Sequence, residues 1–371
     1  MIILNIGLNP EIYKNSSGQL NQLQNSAAVH VHSEWLQQLF QSNLIHEGFN
    51  LVTSNHLEWF VVVDKPEDLV GEIKLQTPRR LDLTGLPDAD WHICEQDEAA
   101  SYFYELLCGL HEPVLGAAEI MQQVKDGFTR SLQMDCIGSV INKLFHQGFE
   151  LGQSLRQSTE INKGGVVLEQ AVIELAEKIL EKVTHSSFLL IGARSVMETW
   201  REKLNQLEIT RIRTVDPGQS RGMEGFDSEI PTDPYKNTDV IIAQSCPAEF
   251  RVSTLAIHSW MHQRKNRPLL IIDLDKKSAF EPQIKKIYNV FHYQANNLEN
   301  IIQVNLKRRH EEVPKIQKHI QKEVDSFMTW FFSDRTYRYH QLVSRSSKMQ
   351  RWKPYSLIRR VRIKGSSFWI N

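Results

Sequence analysis

The segment Thr53-Ser54-Asn55-His56 follows directly on the apolar run Phe49–Val52, and it places a serine and a histidine two residues apart. Serine becomes a nucleophile only with a general base at hand, and histidine suits that task near neutrality. Side chains two apart on a strand share a face, so on an extended segment Ser54 and His56 would meet. The same residue types also suit a turn, in which Ser54 and Asn55 would bond to their own backbone.

A second candidate site follows the apolar strand Phe188–Gly192, where the chain runs Gly192-Ala193-Arg194-Ser195-Val196-Met197. A dinucleotide-binding turn uses glycines for its tight bend, for backbone approach to a pyrophosphate and for helix packing. Here only the first glycine stands. The helix N-terminus still offers an anion site and Arg194 could touch a phosphate, while Arg194 and Val196 would crowd the approach. Asp216, at the end of the next strand, suits an adenine ribose; Arg211 and Arg213 beside it would instead suit a 2′-phosphate. A Rossmann-type domain that holds no cofactor is the alternative.

These residues need elements to position them. Residues 1–64 read as two strands around a helix: Ile2–Gly7 is apolar, Ser33–Ser42 has helical spacing, and Phe49–Thr53 and Trp59–Asp64 are β-rich. From Glu95 to about Leu151 the pattern is helical, with Tyr102, Leu106 and Leu107 on one face and Val124, Phe128 and Leu132 on another. Amphipathic helices are expected over 140–157 and 165–182, with a turn at Ile161–Gly165. Phe188–Gly192, a helix over about 195–207 and Arg211–Val215 form a βαβ unit. Asp239–Ala243 and Pro268–Asp273 read as buried parallel strands. A Rossmann-like domain is therefore expected over about 184–292, followed by one long charged helix from about Asn297 to Phe332.

The 371 residues suffice for two or three domains, and 41% apolar with 23% charged residues is ordinary for a globular chain. The net charge of −1 does not announce a nucleic-acid binder. The stretch 335–371, however, carries many Lys and Arg and no Asp or Glu, so it is either a phosphate-neutralising tail or a solvated one. Cys94, Cys108, Cys136 and Cys246 form no CxxC pair, which argues against a cysteine metal site or a disulfide framework. Cys108 reads as a core residue. No metal site is expected. No apolar stretch reaches bilayer length and the N-terminus lacks a signal-peptide pattern, so a cytoplasmic protein with no membrane partner is expected.

The segment Thr53-Ser54-Asn55-His56-Leu57-Glu58, together with Gly109-Leu110, Val114-Leu115-Gly116, Glu119-Ile120 and Gln123-Val124-Lys125, resembles the catalytic domain of glutamyl-tRNA reductase. Leu144-Phe145, Gly152, Arg156 and Ile161 keep the family spacing, and Val290–Trp330, with Asn305, Arg308 and Arg309, resembles the family's spinal helix. The resemblance covers roughly residues 1–335. It implies an α/β chain of three parts: an N-terminal β/α catalytic-type domain that binds glutamyl-tRNA (1–157), a Rossmann-like parallel-sheet domain that binds NADPH (158–292), and a long C-terminal spinal helix with a short basic region (293–371). It further implies reduction of glutamyl-tRNA to glutamate-1-semialdehyde, the first step of tetrapyrrole (porphyrin) synthesis. A homodimer and contact with the downstream aminomutase are implied as well.

The resemblance assigns Ser54 the position of the family's nucleophilic cysteine, with His56 at its arginine and Tyr102 at its histidine. Substrate-binding positions fall on Thr53, Asn55, His56, Glu112, Ala117, Ala118, Glu119 and Gln123, of which Gln123 keeps the family residue. Cofactor-binding positions fall on Gly192, Ala193, Arg194, Ser195, Val196 and Met197. A serine ester is a poorer hydride acceptor than a thioester. Two routes then remain for an enzyme: Ser54 activated by His56, or direct hydride attack on the tRNA ester. The alternatives are an inactive homologue that binds tRNA or a partner protein, and an oxidoreductase of another substrate.

Overall fold

The computed structural model describes residues 1–8, 26–80, 91–180, 182–218 and 237–346. The chain is α/β, with two sheets. The first is built from β1 (Ile2–Leu8), α1 (Ser26–Gln41), β2 (Glu47–Val52), β3 (Leu57–Val63), α2 (Pro66–Arg80) and β4 (Trp91–Glu95). Its order is β2-β3-β1-β4 and every neighbouring pair is antiparallel, the arrangement of a β-α-β-β-α-β unit. Helices cover both faces. Leu4, Ile6 and Leu8 pack with Trp35 and Leu69 under α1 and α2, whereas Ile3, Phe49 and Phe60 join a core with the later helices. Burial on both sides explains why β3 is almost wholly apolar, with one exception at Glu58.

Sequence spacing missed α2 and β4. The strand β4 has only five residues, of which Trp91 alone is buried. Because it is an edge strand on β1, half of its side chains need not be apolar.

Three helices follow: α3 (Asp97–Leu107), α4 (Glu119–Gln133) and α5 (Ser139–Ser158). They bury Leu106, Leu107, Val124 and Phe128 as expected, but Leu132 is 51% exposed and does not join that face. Glu47 at the start of β2 accepts bonds from the N–H groups of Val140 and Ile141, both 2.9 Å, and so caps α5 from another element.

The second sheet is parallel throughout. It comprises α6 (Leu168–Ile179), β5 (Phe188–Gly192), α7 (Arg194–Gln206), β6 (Ile212–Val215), β7 (Val240–Gln244), α8 (Thr254–Gln263), β8 (Leu269–Asp273) and β9 (Val290–Gln294). The order is β6-β5-β7-β8-β9. The chain reverses direction across the sheet between β5 and β7, which is where open α/β sheets open a crevice at their carboxyl ends.

Helix α9 (Ala295–Ser346) leaves β9 at once and runs 52 residues, about 78 Å at the helical rise. Leu298 packs into the core of the parallel sheet, whereas Ile316, Ile320, Val324, Phe327 and Phe331 pack into the core shared by α3 and α5. Their spacing of three and four residues is that of one helix face. The helix backbone continues past Phe332 into the basic stretch, and residues 347–371 of that stretch lie outside the described residues. No described helix is long and apolar enough to cross a membrane.

Candidate active site

The β2–β3 register pairs Val52 with Leu57, so residues 53–56 form the connection. Thr53 organises it. Its N–H donates to the His56 carbonyl (2.8 Å), and its Oγ1 accepts from the N–H groups of Asn55 (3.1 Å) and His56 (2.9 Å). The turn therefore breaks the strand alternation that would have brought Ser54 and His56 together. Ser54 and Asn55 stand at the tip, half-buried, while His56 is wholly buried beneath.

His56 is not a base for Ser54. Its Nε2 donates to Glu112 Oε1 at 2.7 Å, and its Nδ1 lies 3.8 Å from Glu58 Oε1 without a hydrogen-bond partner. Burial by itself would push this imidazole down. The hydrogen bond to Glu112 and the nearby Glu58 carboxylate outweigh burial and hold His56 up at about 9. At neutral pH it is an imidazolium between two carboxylates, which corrects the expected Ser54–His56 couple.

Glu58 is the centre of a larger network. It is fully buried, and its Oε1 accepts the Tyr102 hydroxyl (2.9 Å). Its Oε2 accepts Asn5 Nδ2 (3.0 Å) and lies 3.0 Å from His92 Nε2. Burial opposes charge on this carboxyl, but His92 and His56 beside it hold it down at about 2. Tyr102 stands between His92 and His111, with ring centroids 4.6 and 4.3 Å away. The sequence reading had placed His56, Tyr102 and Glu112 here but missed Asn5, Glu58 and His92. The available signal was an acid inside the run Leu57–Val63, since a buried carboxylate must have partners.

Loop 109–118 and the start of α4 form one wall of a cleft of about 600 Å³, and α6 forms the other. Asn55, Glu112, Ala117, Ala118, Glu119 and Gln123 line the first wall; Gln170, Glu174 and Glu177 line the second. Ser54 and Tyr102 are not in the lining. Two arginines fix the loop. Arg156 donates to the carbonyls of Gly116, Leu107 and Ala117 (2.7–3.0 Å). Arg309 of α9 donates to those of Leu115, Gly164 and Lys163 (2.6–3.2 Å). Arg309 is the cation of the lining among the described residues, and its donors are engaged with these carbonyls.

The cysteines offer no replacement nucleophile. Burial, with Glu98 and Glu58 nearby, pushes the Cys94 thiol up to about 11, and burial pushes Cys108 up to about 12. Cys108 is a core residue, 1% exposed. No cluster of metal-ligating side chains occurs among the described residues.

The second candidate site lies at the carboxyl end of β5. Gly192 has φ +148°, and a Cβ there would overlap the Gln244 carbonyl of β7, so close strand approach requires glycine. Helix α7 begins two residues later, at Arg194, and Ala193 before it supplies no side-chain cap. Its first N–H groups are thus open to an anion. A cleft of about 250 Å³ beside it is lined by Gly192, Arg194, Met197, Glu198, Arg201 and the end of β6. Val196 packs toward the core of the parallel sheet and does not crowd this cleft, contrary to expectation. Arg194 does line it, with Nε on Glu198 (3.0 Å) and a side chain 75% exposed. Met197, at the position a dinucleotide turn gives to its third glycine, is buried and packs under Gly192. A glycine bend and an uncapped helix start fit the pyrophosphate of a dinucleotide.

The chain is similar to known proteins both in sequence and in fold. Residues 18–159 match the family model described as "Glutamyl-tRNAGlu reductase, N-terminal domain". The chain is 28% identical over 311 residues to a protein of Chloroherpeton thalassium named "Glutamyl-tRNA reductase", covering 80% of this chain and 70% of that one. It is 26% identical over 323 residues to a Bacillus subtilis protein of the same name, covering 80% and 68%. The solved structure described as "Glutamyl-tRNA Reductase from Methanopyrus kandleri" shares the fold, with a TM-score of 0.73, 21% identity, and coverage of 93% of this chain and 84% of that one.

Proposed function

Starting from a chain that is a divergent homologue of the glutamyl-tRNA reductases, we propose that it reduces the glutamyl ester of glutamyl-tRNA to the aldehyde with a nicotinamide dinucleotide. The juxtaposition in the larger cleft carries this reading. Asn55, Glu112, Ala117, Ala118, Glu119 and Gln123, separated by up to 68 positions in the chain, meet on one wall opposite the helix that leads into the parallel sheet. In this reading residues 1–157 take the aminoacyl-tRNA, 158–292 hold the cofactor, and 293–371 supply the spinal helix that joins them and a short basic C-terminal region. Glutamate-1-semialdehyde is then the product and tetrapyrrole synthesis its destination.

The bend at Gly192 and the open start of α7 would hold such a cofactor, which would supply hydride to the ester carbonyl carbon. The bond from that carbon to the tRNA ribose oxygen breaks, and that oxygen takes a proton from solvent. The chain's own residues position the ester. Asn55 and Gln123 offer amide donors to the glutamyl carboxylate in place of the family's arginine, because His56 is buried and neutralised by Glu112 and Glu58. Ser54, without a base and outside the cleft lining, does not act as a nucleophile. The reaction therefore follows the direct route.

Purified protein supplied with glutamyl-tRNA and reduced cofactor should release an aldehyde that a hydrazine reagent traps. Trapped product from a Ser54→Cys variant, with none from the native chain over many hours, would sink this assignment for the native protein.

A further inference from the structure

We propose that Glu112 is a catalytic residue of the larger cleft, the carboxylate that carries a proton from the hydroxyl of the reduced ester to the leaving ribose oxygen, and that His56 is its positioning residue. The inference rests on the reductase reading and adds a step to it. Four acids line the cleft: Glu112, Glu119, Glu174 and Glu177. Glu119 and Glu177 are exposed. Glu174 is engaged by the Gly165 N–H (2.8 Å), Asn305 Nδ2 (2.8 Å) and Lys178 Nζ (2.6 Å). Glu112 differs from all three. Its side chain is 7% exposed, and among the described residues it accepts one hydrogen bond, at Oε1 from His56. Oε2 is left for a substrate.

The group that holds Glu112 is itself held. Thr53 Oγ1 accepts the His56 N–H, and Glu58 faces the ring from the Nδ1 side at 3.8 Å. Two carboxylates thus share one imidazolium, which orients Glu112 without being its partner alone. The two acids keep the ring charged at neutral pH against its burial, so His56 does not compete for a proton from the cleft.

Once hydride has reached the ester carbon, the former carbonyl oxygen takes a proton from solvent and leaves a hemiacetal in the cleft. Glu112 Oε2 takes the proton of its hydroxyl. The C=O bond re-forms as the bond to the ribose oxygen breaks, and the electron pair goes to that oxygen. Glu112 gives it the same proton and is a carboxylate again. The solvent proton thus reaches the ribose oxygen by way of Glu112.

A single turnover with NADPH and glutamyl-tRNA separates the two stages: cofactor absorbance follows hydride transfer, and acid gels follow deacylated tRNA. The native chain should show both together. Folded Glu112→Gln and Glu112→Ala should oxidise the cofactor first and release tRNA about a hundredfold more slowly, the scale of general acid–base catalysis. Formate should shorten that lag in Glu112→Ala, and His56→Gln should show a smaller lag. Release at the native rate, equal slowing of both stages, or a lag that formate leaves unchanged would overturn the proposal and leave the reductase reading intact. If the native chain oxidises no NADPH with glutamyl-tRNA, the reductase reading falls and this step with it.

Discussion

Gly7 and Glu58 are direct partners across β1 and β3, and the Glu58 carboxylate occupies the space that a Cβ at position 7 would need. The register also pairs Gly7 with His92 on β4. Glu58 and His92 therefore reach each other over the one residue that has no side chain. The acid–histidine network beneath the hairpin depends on that absence.

Gly7→Ala should accordingly destabilise the protein by about 1–3 kcal/mol through overpacking against a buried ion pair. Urea unfolding measures this. A variant as stable as the native chain would show that Glu58 can move aside at no cost.

The pH dependence has two opposite arms. His56 has a folded pKa of about 9 against an ordinary 6.5, so its contribution is fully present below about 6.5 and is lost as pH rises through 9. Glu58 has a folded pKa of about 2 against an ordinary 4.5, so its contribution is present above about 4.5 and is lost as pH falls through 2. Thermal stability should decline above neutrality in the native chain, with a flatter alkaline arm in His56→Gln. Identical alkaline profiles for the two would contradict a charged His56.

Ser54→Ala should retain aldehyde formation within about fivefold, because Ser54 has no base and lies outside the cleft lining. Ser54→Cys should not gain by pairing with His56, whose Nε2 remains on Glu112. Single-turnover measurements with glutamyl-tRNA decide this. A loss of about a thousandfold in Ser54→Ala would mean that the serine reacts covalently after all.

Arg309→Met should cost about 2–4 kcal/mol, since three carbonyls on two loops lose their donor together. Hydrogen exchange in residues 109–118 should speed up more than in β5, β7 and β8. Uniform change across the chain would show that Arg309 supports global stability only.

The central strands β5, β7 and β8 of the parallel sheet were legible in the sequence because they are short apolar runs buried on both faces, as at Phe188–Gly192 and Leu269–Asp273, whereas the edge strand β9 is mostly not buried and fell within the stretch that resembles the spinal helix. The long helix was legible from its periodicity, although its backbone runs on to Ser346, beyond the expected end near Phe332. Strand β4 and helix α2 were not. Neither has a strong pattern, and β4 exists because β1 offers it an edge.

The candidate site was half legible. Motif spacing marked Ser54, His56, Tyr102 and Glu112, but alternation along a strand wrongly paired Ser54 with His56. A side-chain acceptor, Thr53 Oγ1, turns the chain at that point and sends the two residues different ways.

The sequence by itself determined which local segments could become strands and helices, and that an acid stood in the apolar run of β3. Those properties depend on residue type and short-range spacing. Only the tertiary structure decided the state of His56 and Glu58, because their partners lie far along the chain: Glu112 is 56 residues from His56, and Asn5 is 53 from Glu58. Charge state inside a protein is set by the nearest dipoles and ions in space; strand register brought Asn5 to Glu58, and the packing of loop 109–118 brought Glu112 to His56.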